Sequence, residues 1–90
     1  MRESIMDKRI IFSKHSKIQM IERGAPETEI VETIKTGEEV PAKLGRKAYR
    51  KNFQYDGHWQ ETFYHIKQVM PIIMEETDAI TVITVYTFYF

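Results

Sequence analysis

The apolar pattern of this chain changes period once, at Gly37, and that change fixes its class. Before Gly37 the hydrophobic residues fall in two short blocks of helical spacing; after it they alternate with polar ones. Tyr49, Phe53 and Tyr55 interleave with Arg50, Asn52 and Gln54, the period-two signature of a strand. A short strand at Ile10–Ile11–Phe12 precedes the helices. The order is therefore a short N-terminal strand, two helices, then a three- to four-stranded, mainly antiparallel sheet. That is an α+β domain with its helices on one sheet face.

The first helical block is bounded on both sides. Ser13 carries the side-chain oxygen that an N-cap needs, and Gly24 sits where the left-handed C′ residue falls, giving about three turns. His15 lies in the first turn, where unpaired backbone N–H groups disfavour an imidazolium. A neutral imidazole is what a general base requires, so His15 is a candidate for proton transfer. At 100° per residue His15, Gln19, Glu22 and Arg23 share one arc and Ile18 and Ile21 another. The same arc also reads as a plain solvated face.

Pro26 suits the first position of the second helix, where its missing N–H costs nothing. Glu27 and Glu29 favour its positive end, Lys35 its negative end, and Ile30, Val31 and Ile34 form its apolar stripe. Ala25 is a poor cap, so this helix depends on packing.

Among the strands, Asp56-Gly57 is a hairpin turn signal. Pro71 predicts an edge or a bulge within the apolar run Val69–Met74. Thr77-Asp78-Ala79 reads as a further turn, and Ile80–Tyr86, apolar on both faces, as a central strand.

The 90 residues make one domain, 1–90, able to bury roughly 60–65% of its unfolded surface, with 1–8 expected as a flexible lead-in. No apolar run is long enough to span a membrane, and no leader pattern opens the chain. The absence of cysteine excludes disulfides and thiolate metal sites and fits a cytoplasmic protein. The three histidines, His15, His58 and His65, form no i, i+3 or i, i+4 ligand pair, so neither a metal nor another cofactor is expected. A net charge of zero argues against a large non-specific nucleic-acid binder. Charge is nevertheless segregated. Lys43, Arg46, Lys47, Arg50 and Lys51 surround Tyr49 with no acid between them, a pattern suited to phosphate contact and base stacking. Basic strand residues also serve simply to discourage edge pairing.

The run H-S-K-I-Q-M-I-E-R-G-A, the helix end T-G-E-E-V, the strand Y-H-I-K-Q-V and the closing V-I-T-V-Y-T-F-Y-F resemble the small bacterial family DUF4258. That family is itself similar to RelE-like toxins and to the barnase–EndoU–colicin–RelE group of metal-independent ribonucleases. The resemblance runs from about Ile11 to the C-terminus and places its motif on His15, Met20, Arg23, Gly24, Lys67, Thr84 and Tyr86. Ser16 stands where the family has alanine. Gln19 stands where it has an arginine, which removes one cation.

The resemblance implies a RelE-like toxin acting as a metal-independent endoribonuclease. Its partners would be RNA, including ribosome-associated RNA, and a cognate antitoxin protein. In such chemistry His15 serves as base or acid, Arg23 grips phosphate oxygens, Lys67 supplies a compact charge, and Thr84 and Tyr86 offer hydroxyls from one strand face. Each residue also has a plainer reading. Arg23 can simply interact with the helix C-terminus, Lys67 can snorkel to solvent, and Thr84 and Tyr86 are good strand formers. The alternatives are a non-catalytic RNA- or protein-binding module of the same fold, or a small homodimer. The aromatic end Thr87–Phe90 either packs in the core or forms the surface a partner covers.

Overall fold

The computed structural model describes residues 7–90. Its order is β1 (Arg9–Phe12), α1 (Lys14–Arg23), α2 (Glu27–Thr36), β2 (Glu38–Val40), β3 (Lys47–Trp59), β4 (Thr62–Glu75) and β5 (Ala79–Tyr89). The α+β class holds. Four strands follow the helices, and β1 joins them to complete a five-stranded mixed sheet ordered β1-β5-β4-β3-β2, with β1 and β5 parallel. The expected lead-in 1–8 lies outside the described residues up to Met6. Lys8 is tied down, its ammonium donating to Glu75 Oε2 and to the Glu76 carbonyl, each at 2.7 Å.

The helix ends follow the local chemistry. Ser13 Oγ accepts from Ser16 N at 3.0 Å, and Gly24 adopts φ 72° while Ala25 N reaches back to Met20 O at 2.9 Å, a Schellman closure. Pro26 is the N-cap of α2 rather than its first helical residue, and no side chain caps that end. Ala25, Ile30, Thr33 and Ile34 are buried there; Val31 is only partly covered. Gly37 is extended, and its lack of a side chain matters for another reason: a Cβ would lie 2.6 Å from both Arg50 O and Thr33 O.

One turn expectation moves, while that at Thr77-Asp78 holds. Asp56-Gly57 is a bulge within β3, where the register shifts between Gln54 and Gly57, and Asp56 takes φ 46°. The hairpin closes instead at Gln60-Glu61, whose φ values of 51° and 74° are those of a type I′ turn. The strong turn residues were used to bend the ribbon, and the chain continued three residues further before reversing. Pro71 lies in the central strand, not at an edge. Its missing N–H is accommodated because no β3 pair forms between Ile72 and Val69, and the β5 register shifts just after it, at Ile72/Ile73. β5 is interior, between β1 and β4.

One sheet face carries the core: Ile30 and Ile34 of α2 pack with Tyr49, Val69, Ile73, Ile80, Val82 and Val85. Each such side chain contributes about 1.5–3 kcal/mol by leaving water. By strand alternation the opposite face presents Ala48, Asn52, Gln68, Met70, Ile72, Thr84, Tyr86 and Phe88, which pair across the strands as Ala48–Ile72–Thr84, Met70–Tyr86 and Asn52–Gln68–Phe88.

Candidate functional site

Helix α1 has its polarity inside out. Ser16 and Gln19 are buried, while Ile18 is 47% and Ile21 84% exposed. The cause is the sheet edge beneath it. β1 stops pairing with β5 at Phe12–Val82, so the later residues of β5 have no neighbouring strand on that side. Their backbone groups must still be satisfied. Ser13 N donates to Val82 O at 3.1 Å and Ser13 Oγ to Ile83 O at 3.2 Å. Val85 N donates to Gln19 Oε1 at 2.8 Å, and Arg23 Nη1 donates to Val85 O at 2.7 Å. Thr87 Oγ1 and Tyr89 Oη both donate to Arg23 O, at 2.9 and 2.8 Å. Burial raises the Tyr89 hydroxyl to about 12, so it stays a donor at any ordinary pH. Polar side chains of α1 thus stand in for a sixth strand.

The five residues nominated for chemistry divide among this seam, the open sheet face and the helix-covered face. Arg23 and Tyr86 meet: the guanidinium lies over the Tyr86 ring, 5.3 Å from its centroid. Thr84 shares the open sheet face with Tyr86, one strand step away. His15 is exposed in the first turn, one turn before Gln19, which is about 6 Å along the helix axis. Because Gln19 and Arg23 reach the same strand residue, Val85, the Arg23 guanidinium is drawn back toward the level of Gln19.

Lys67 is elsewhere. It is buried on the helix-covered face, 2.7 Å from Glu29 Oε1, donating to Gly24 O at 2.8 Å and lying 5.5 Å from the Tyr55 ring centroid. Its ammonium locks the end of α1 to the start of α2. His65 is also apart, its Nδ1 2.9 Å from Asp56 Oδ1 at the β3 bulge, where that contact lowers the Asp56 carboxyl.

The basic stretch of the sequence does not survive as a patch. Lys47 pairs with Glu75 at 2.8 Å, Arg50 with Glu38 at 2.9 Å, and Lys51 with Glu32 at 2.5 Å. Tyr49, expected to stack on a base, is 1% exposed and belongs to the core. Strand alternation is the physical reason: neighbours in sequence point to opposite faces, and acids from three other elements reach the cations. Lys43 and Arg46, in the loop before β3, have no acidic partner among the described residues. The same holds for Lys14, Lys17 and Arg23, which makes α1 the basic element. That signal was present in S-K-H-S-K, with no acid in the first turn.

Of the two readings of the aromatic end, Phe88 takes the surface one. It is 43% exposed, stacks nearly parallel to Tyr86, and helps line an open concavity of about 810 Å³. Arg50, Gln68, Met70 and Phe90 also line it. Among the described residues no helix is long and apolar enough to cross a membrane. No family model, curated protein or solved structure matches the chain in these comparisons, so the functional reading rests on its own geometry.

Proposed function

We propose that this chain is an RNA-binding domain of the RelE-like kind its sequence resembles, with the seam between α1 and β5 as its site. The observation that carries this reading is Arg23. It has no acidic partner among the described residues, is fixed by the Val85 carbonyl, and lies over Tyr86 beside the exposed ring of Phe88. A planar cation of this kind, still carrying unused N–H groups, suits a phosphate, and neighbouring rings suit bases. Lys14 and Lys17 add positive charge on the same helix.

Cleavage is a second reading, and the position of His15 favours it. His15 is exposed on the same helix and would take the 2′-hydroxyl proton. Arg23 would hold the phosphate oxygens, and the Tyr86 or Thr84 hydroxyl would protonate the leaving 5′-oxygen. The new bond is 2′-oxygen to phosphorus and the broken one phosphorus to 5′-oxygen, leaving a 2′,3′-cyclic phosphate. Lys67 takes no part, because Glu29 and Gly24 hold it inside the domain.

The test is binding and cleavage of a mixed RNA pool in EDTA by the parent, Arg23→Gln and His15→Ala. Arg23→Gln keeps a polar side chain and removes the charge, so binding should weaken and the salt slope fall by about one phosphate. His15→Ala should leave binding intact. Cyclic-phosphate ends lost in His15→Ala would establish cleavage. Binding unchanged in Arg23→Gln at every salt concentration would refute the seam as the site.

A further inference from the structure

The Tyr86 and Phe88 rings stand on the open sheet face with centroids 6.4 Å apart and planes within 20° of parallel. They are 37% and 43% exposed. Two residues apart on a strand, side chains rise about 6.6–6.8 Å from each other, so parallel rings there frame a gap about one aromatic ring thick. Beside Phe88 sits Gln68, its cross-strand partner, whose Nε2 donates to Asn52 Oδ1 at 2.9 Å. That bond leaves Gln68 Oε1 as an acceptor and Asn52 Nδ2 as a donor, side by side on the same face. Phe88, Gln68 and Met70 also line the open concavity, on whose wall Tyr86 does not lie.

We infer that this slot takes one unpaired nucleobase, held between Tyr86 and Phe88 with its polar edge toward the Gln68–Asn52 amides. The inference rests on the RNA reading above and specifies its substrate class, single-stranded RNA. A paired base cannot enter, because its neighbours in the duplex already occupy both of its faces. Opening the gap requires only small rotations of two half-exposed side chains. Arg23, over Tyr86, takes the phosphate next to the held base. A protein surface fits this face less well: its Asn52–Gln68 pair would be left partly unsatisfied under an apolar partner.

The experiment is anisotropy binding of a labelled single-stranded 12-mer and of a duplex of the same composition at one fixed salt concentration. Parent, Phe88→Leu and Phe88→Trp are compared, with circular dichroism to verify folding and sedimentation to give the oligomeric state. The expected result is single strand bound at least tenfold tighter than duplex. Phe88→Leu should lose about fivefold or more, and Phe88→Trp should retain binding. Equal binding of duplex, or full binding by folded Phe88→Leu, overturns the slot while leaving RNA binding at the seam intact. A parent dimer that dissociates in Phe88→Leu also overturns it and assigns the face to a second copy. Binding of no RNA at all removes both the slot and the reading it rests on.

Discussion

Removing the Lys67 ammonium separates a structural role from a chemical one. The Lys67 side chain is 7% exposed and its partner Glu29 24%, with 2.7 Å between the charges and a second contact to Gly24 O at 2.8 Å. Lys67→Met keeps the apolar stem beside Tyr55 and deletes the charge. Breaking a fully buried pair costs about 3–5 kcal/mol, because the surviving charge is stranded. Glu29 can recover some water through its exposed quarter, which lowers that figure, while the Gly24 carbonyl loses its bond to the ammonium, which offsets part of that relief. The net expectation is about 3 kcal/mol. For a domain of this size, with about 5–13 kcal/mol in total, the variant remains folded, with Tm lower by about 12–24 °C. Urea unfolding at pH 7 reports it directly, since Trp59 stacks on Tyr89, 4.9 Å between centroids, at the same end of the domain. Lys67→Met with Glu29→Leu should return to within about 1 kcal/mol of the parent, since an apolar pair strands no charge. RNA binding by folded Lys67→Met should be unchanged. A variant of parental stability that no longer binds or cleaves RNA would refute the argument and make Lys67 a site residue.

The remaining expectations concern the frame of the fold. Lys47 and Lys8 hold the Glu75 carboxyl at about 2, below its usual 4.5, by hydrogen bonds. Its folded value is the lower one, so the stabilisation is complete above pH 4.5 and lost as pH falls toward 2. It is on the order of 2–3 kcal/mol, and Glu75→Gln should flatten urea stability over that window. Gly37→Ala should cost more than Gly24→Ala in the same assay, despite the positive φ at Gly24. The added methyl at Gly37 meets two backbone oxygens at 2.6 Å, and that at Gly24 meets the Trp59 and Tyr89 side chains at 2.8 Å. Gln60→Asn with Glu61→Gly should raise stability by about 1 kcal/mol, because both positions hold positive φ in a type I′ turn. A loss of stability there would show that the turn is not the one that closes the hairpin.

What could be read in the sequence was what depends on neighbours along the chain. The Ser13 cap, the Gly24 stop, the end of α2 at Gly37 and the onset of alternation all follow from local backbone chemistry, and all are present. The errors arose wherever a residue's partner lay far away in sequence. Asp56-Gly57 has the residues of a tight turn, yet the same tolerance of positive φ suits a bulge, and only cross-strand register distinguishes them. Lys47, Arg50 and Lys51 look like one charge cluster until Glu75, Glu38 and Glu32 arrive from three different elements. The site divides the same way: Arg23 with Tyr86 was nominated and is in contact, while Lys67 was nominated and serves the interior.

Gln19 joins the two halves of the argument. On the proposed RelE-like reading, glutamine here means one cation fewer. In the fold it is an acceptor, and the group it serves, Val85 N, is a donor. An arginine has no acceptor to offer that N–H, so the family residue at this position would need a different arrangement of the β5 edge. With glutamine there, Val85 N and Val85 O are both held by α1, through Gln19 and Arg23 in turn. Arg23 is thereby fixed at one end over Tyr86, and its remaining nitrogens keep their donors. The substitution that subtracts a charge from the seam also holds the strand residue to which the surviving charge is anchored. On the RNA reading proposed above, that one fixed cation beside exposed rings is the phosphate contact, and any proton transfer at the seam would fall to His15.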